Sequence, residues 1–236
     1  MMKATQKVHD MGQSIWLNNI TRTLLTSGTL QRYIQEFAVT GLTSNPTIFD
    51  HAIRNSTDYD DAIRQKVQEG KSRETVFFEL ALEDLRQAAD LFRPIHDQSN
   101  GVDGWVSPVS PELAHYAART IDAAKKLHEQ ASTGTKDPQA ADTLYVSALA
   151  SPSTINTMPE ATLNAFADHG KLGESLPIHE RGCDQMLTEF SRAGIDIDVL
   201  AARLQEEGAA AFVKSWSGLM HCIASRSQEL KSVQMS

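Results

Sequence analysis

At 236 residues, with 41% apolar and 22% charged side chains, the chain can bury one substantial core and has the balance of a soluble globular protein. No run approaches the roughly 20 apolar residues that cross a bilayer, and Met1–Asp10 holds neither a basic nor an apolar leader segment, which predicts a single-domain cytoplasmic protein spanning 1–236. A formal charge of -8 works against sequence-independent nucleic-acid binding and leaves small molecules or proteins as partners.

The apolar spacing of Leu30, Tyr33, Ile34 and Phe37 predicts an amphipathic helix over Leu24–Phe37, broken near Ser27 or Gly28. Val39–Ser44 reads as a short strand entering a turn at Asn45-Pro46. A long helix is expected from Ser72, its N-cap, to Phe92, with Pro94 as its stop. Trp105-Val106-Ser107 is a strand kept short by Pro108. A helix is predicted over Pro111–Gln130, a strand over Pro152–Met158 and a helix over Pro159–His169. Two further helices cover Asp184–Ala193 and Asp196–Ala224, the second expected to break near Gly208. Strands alternating with helices imply a parallel sheet whose site lies at the carboxyl ends of the strands, where Asn18, Thr43, Asn45, Asn156 and Thr157 fall.

Cys183 and Cys222 fit no paired metal spacing and read as buried thiols in a reducing compartment. Glu160, His169, His179 and Glu180 do not recur four apart on one helix, so no metal site is assigned, and no cofactor is called for. Trp16 reads as core rather than a stacking platform, and Asp58, Asp60 and Asp61 as a solvated helix start.

Three segments carry a family resemblance: Ser14-Ile15-Trp16-Leu17-Asn18-Asn19-Ile20, Gly41-Leu42-Thr43-Ser44-Asn45-Pro46-Thr47-Ile48-Phe49 and Ser132-Thr133-Gly134-Thr135-Lys136-Asp137-Pro138, joined by Asn156-Thr157-Met158-Pro159. Together they resemble the transaldolases of the longer bacterial type. Residues 12–130 are similar to the first three βα units of that family, 131–169 to its last units, and 183–231 supply C-terminal helices. The resemblance implies a TIM-type barrel that transfers a dihydroxyacetone unit between sugar phosphates through a lysine Schiff base, with an aspartate and a glutamate moving protons.

The residues at those positions depart from the family pattern. The first strand ends in Asn18 where the family has the aspartate, and Pro108 falls where its glutamate belongs. After the helix ending near Gln130 the chain passes straight into Ala131-Ser132-Thr133, which resembles the loop after the seventh strand. The expected fold is therefore a helix-rich α/β chain, a truncated or rearranged TIM-type (βα) barrel missing about the fourth to seventh strands. None of the ten lysines has a buried-strand context. Asn18 and Pro108 lie outside the missing block, which favours a natural sequence freed from the ancestral chemistry over a cloning deletion.

The expected function is a sugar-phosphate-binding or protein-interaction pseudoenzyme. The alternatives are a repurposed enzyme using a remodelled pocket and, third, an active transaldolase completed by another chain. Candidate binding residues are Asn18, Thr43, Ser44, Asn45, Ser132, Thr135, Lys136, Asn156 and Thr157, with turn-keeping and helix capping as competing roles for Asn45, Asn156 and Thr157. Ser132, Thr135 and Lys136 sit in a loop able to cradle a phosphate. His115 and Tyr116 are a weaker acid-base pair. A shortened barrel exposes strand edges, so a homo-oligomer or a protein partner covering them is expected.

Overall fold

The computed structural model describes residues 2–108, 130–132, 134–135, 137–176 and 183–233. The predicted helix 111–130, apart from Gln130, lies outside them, as do His115, Tyr116, Lys136, His179 and Glu180.

Five strands form one sheet: β1 (Gln13–Asn18), β2 (Val39–Ser44), β3 (Trp105–Pro108), β4 (Gln130–Ser132) and β5 (Thr154–Met158). They run in the order β3-β2-β1-β5-β4, and every neighbouring pair is parallel. The first strand pairs on one side with the second and on the other with the last, as in a closed βα barrel. Among the described residues the sheet is thus an arc of a TIM-type barrel without its middle strands. Among the described residues β3 and β4 are its open edges. Gln130, expected to end a helix, instead opens β4, because Gln130, Ala131 and Ser132 pair with Ile155, Asn156 and Thr157.

Alternation along β1 sends Ile15 and Leu17 outward to the helices, where both are fully buried with Leu42 and Met158. Each such side chain contributes about 2 kcal/mol by leaving water. The opposite face is the barrel interior, carrying Trp16, Asn18, Gly41, Thr43 and Thr157. Trp16 is buried, and it lies so close to Gly41 that a Cβ there would come within 2.5 Å of its indole nitrogen. Position 41 therefore admits only glycine without repacking.

The helices are α1 (Ala4–Asp10), α2 (Arg22–Thr26), α3 (Thr29–Phe37), α4 (Pro46–Asn55), α5 (Asp60–Gln68), α6 (Arg73–Gln98), α7 (Leu144–Ala148), α8 (Glu160–His169), α9 (Cys183–Arg192) and α10 (Ile197–Val233). Gly28, at φ 78°, separates α2 from α3 as the sequence suggests. Ser72 caps α6 by accepting from the Thr75 amide at 3.2 Å.

Pro94 does not stop α6, which runs on to Gln98. Pro94 and Asp90 both face solvent, so the Asp90 carbonyl that loses its helical donor can be hydrated. Nor does Gly208 break α10, since the alanines that follow it hold the helix against a cost of about 1 kcal/mol for one glycine. The last turns of α10 press on α4, α5 and α6, burying Leu219, Ile223 and Leu230. Arg226 reaches from that half to both carboxylate oxygens of Asp60, at 2.7 and 2.9 Å, so Asp60 is ion-paired rather than merely solvated. Cys222 is buried as expected, but Cys183, at the start of the projecting α9, is exposed.

Candidate functional site

The carboxyl ends of β1, β2 and β5 open into a cleft of about 590 Å³. Register places Asn18 beside Thr43, while Trp16, one layer below, lies beside Gly41 and Thr157, so Asn18, Thr43 and Thr157 share the interior face. Ser44 and the first turn of α4, Asn45 to Ile48, complete one wall. The other wall is α10, through Gly208, Ala211, Phe212 and Ser215. The Thr47 hydroxyl donates to Ser215 Oγ at 2.9 Å and pins that helix to the rim.

Asn45 serves as helix cap and pocket wall together: its Oδ1 accepts from the Ile48 amide at 3.1 Å while the residue lines the cleft. Ser44 is 1% exposed, and its hydroxyl has no partner among the described residues. A buried hydroxyl without a partner costs about 1–3 kcal/mol, and Ser44, next to the inward-facing Thr43, is sealed from the cleft it backs. The Trp16 indole N–H, beneath the same face, is likewise buried and unpartnered among the described residues.

The structure gathers Asn18, Thr43, Ser44, Asn45 and Thr157 around the cleft; Asn156 and Thr135 are engaged apart from it, and Lys136 lies outside the described residues. Asn156 points to the outer face, where its amide donates to Gln13 Oε1 at 3.3 Å. One-residue alternation on β5 separates it from Thr157. Neither residue caps α8, whose N-cap is Pro159. Ser132 pairs by backbone with Thr157 at the β4 edge, and the Thr135 hydroxyl donates to the Asp142 carbonyl at 3.3 Å, within its own loop. Pro108 ends β3 beside Ser44. The wall supplied by Gly208, Phe212 and Ser215 escaped the sequence reading: their spacing marks one helix face but not what that face meets.

No ionisable side chain is among the described residues lining the cleft. Charge is concentrated behind the sheet instead. Asp84 is fully buried and accepts from Arg22 Nε at 3.0 Å and from the Tyr59 hydroxyl at 2.7 Å. Burial pushes its carboxyl above the usual range against the pull of both donors, and burial beside Asp84 raises the Tyr59 phenol strongly. Glu160, in the first turn of α8, is held by Asn19 at 2.6 Å and by the Tyr33 hydroxyl at 2.8 Å. Burial lifts the Cys222 thiol to about 11, far from a reactive thiolate. No group of three or more His, Cys, Asp or Glu able to hold a metal occurs among the described residues.

The transaldolase/fructose-6-phosphate aldolase family model matches residues 15–132 and again 128–223. The chain belongs to this family. The two matched stretches meet at 128–132, at β4, where the sheet passes from its early strands to its late ones. A transaldolase of Saccharopolyspora erythraea is 27% identical over 361 aligned positions, covering 96% of this chain and 98% of that protein. One from Frankia alni is 27% identical, covering 90% and 94%, and one from Thiobacillus denitrificans 26% identical, covering 93% and 99%. Alignments of this length against a 236-residue chain mean that the relatives carry sequence absent here. No helix among the described residues is long and apolar enough to cross a membrane.

Proposed function

We propose that this protein is a transaldolase-like member of carbohydrate metabolism that binds a sugar phosphate in the cleft without forming a Schiff base, and acts as a regulatory or assembly component rather than a transferase. The observation that carries this reading is the cleft lining: hydroxyls and amides from Asn18, Thr43, Asn45 and Thr157, with no ionisable side chain among the described residues. Such groups hydrogen-bond the hydroxyls of a polyol. Imine catalysis needs an amine made nucleophilic by its surroundings and acids or bases within reach to move protons. Asn18, in the place of the family's aspartate, exchanges no proton near neutral pH.

The edges of β3 and β4, open among the described residues, support association with a second copy, which would extend the sheet across the interface. A monomeric mass by light scattering would contradict that part of the reading.

Calorimetric titration with fructose 6-phosphate tests the binding claim. Saturable binding is expected, weakened up to about tenfold by Thr43→Val, in line with one lost hydrogen bond. Ser44→Ala, at a hydroxyl sealed from the cleft, should leave binding unchanged and the unliganded protein as stable or slightly more so. Absence of binding at millimolar sugar phosphate, or binding untouched by Thr43→Val, would refute the assignment of this cleft.

A further inference from the structure

The C-terminal hairpin exposes apolar surface that folded chains normally cover. Every residue from 183 to 211 is exposed, and nine of the sixteen exposed large hydrophobic side chains among the described residues fall within 186–213. The hairpin is nonetheless a defined structure. Gly194 turns the chain at φ 85°, the Ile195 amide donates to the Phe190 carbonyl at 3.0 Å, and Asp196 Oδ1 accepts from the Val199 amide at 3.1 Å to cap α10.

The exposed face continues an occupied one. Ile197 and Leu204 lie at helical spacing with Gly208 and Ser215, which wall the cleft, and with Leu219 and Ile223, which are fully buried against the body. One face of a single helix is thus covered along its last turns and bare along its first. A bare apolar stripe of this extent on a surface marks a docking site.

Charge selects the occupant. Residues 183–213 hold six carboxylates and two arginines, a balance of -4 within a chain of -8. A second copy of the same face would set acid against acid. We infer that the hairpin formed by α9 and the first half of α10 is the docking surface for an amphipathic helix of a separate protein, one carrying lysines and arginines around an apolar stripe. Met186, Leu187, Phe190, Leu200 and Leu204 offer the apolar contacts, and the surrounding carboxylates set the orientation and speed the encounter. The inference is independent of what occupies the cleft.

A fluorescently labelled synthetic Leu/Lys amphipathic helix of about five turns and its Leu/Glu counterpart serve as probes, read by anisotropy against the full chain. The Leu/Lys helix should bind saturably and more weakly as salt rises, and the Leu/Glu helix should not bind. Leu200→Ser with Leu204→Ser should weaken binding at least about tenfold, as for loss of central apolar anchors, and Glu206→Gln with Glu207→Gln by about threefold through lost steering. These side chains are already exposed, so the melting temperature should not move, and lost binding then cannot be read as unfolding. Equal binding of both peptides, or Leu/Lys binding untouched by both pairs of substitutions, would overturn the inference. So would a dimer in light scattering that reverts to monomer in Leu204→Ser, since the face would then belong to a second copy.

Discussion

The two halves of α10 have similar apolar spacing and opposite fates. In the half nearer the C-terminus Leu219 and Ile223 are fully buried; in the other half Leu204 is 58% exposed. Helix propensity and periodicity cannot produce this difference. It arises because the last turns meet α4, α5 and α6, whereas the first turns meet α9, itself exposed throughout. Periodicity identifies the face of a helix that can be buried, and the rest of the fold decides whether it is.

Substitutions in the two halves, and in the body that the buried half leans on, put numbers on that contrast. The largest loss is expected from Asp84→Ala in α6, which strands the buried Tyr59 hydroxyl and leaves the Arg22 guanidinium with Glu83 as its one remaining carboxylate partner among the described residues. Breaking a buried pair this way costs about 3–5 kcal/mol by chemical denaturation. Ile223→Ala should cost about 3 kcal/mol through lost burial and a cavity. Arg226→Ala, which releases a partly exposed ion pair with Asp60, should cost about 1 kcal/mol. Leu204→Ala should change stability by under about 0.5 kcal/mol. A cost at Leu204 matching that at Ile223 would erase the contrast and mean that the outer half is covered in solution.

The smallest expected effect is a pH dependence. Hydrogen bonds to Asp142, at 3.0 Å, and to Asp168 raise the His169 pKa above its ordinary value. The folded state then holds the proton more tightly than the unfolded state. The associated stability is complete below the unfolded value of about 6.5 and is lost as pH rises through the higher folded value. An NMR titration should place the His169 midpoint above the usual histidine range, and Asp142→Asn should lower it. A midpoint unchanged by Asp142→Asn would remove this pair from the account.

Much of the fold was legible because local signals agreed with tertiary ones. Val39–Ser44, the Ser72 cap and the Gly28 break all stand where composition and turn chemistry put them. The misread boundaries have local causes: Pro94 was tolerated because its helix face is wet, and Gly208 because alanines follow it. In the site, Asn18, Thr43, Ser44, Asn45 and Thr157 were legible as residues at strand ends, while Asn156 was misplaced by the alternation that sends it to Gln13. The α10 wall was not legible, since one sequence does not say which distant helix closes a cleft. The junction at 128–132 was visible as motifs adjoining too soon, and the two family matches meet at that point.

The central claim is that the cleft binds sugar phosphate without forming an imine, and reductive trapping tests it most directly. The intact protein would be incubated with fructose 6-phosphate and borohydride and its mass measured. The account predicts an unchanged mass under conditions where calorimetry shows the site filled. A covalent adduct mapped to any lysine would contradict it and return the protein to the working transaldolases.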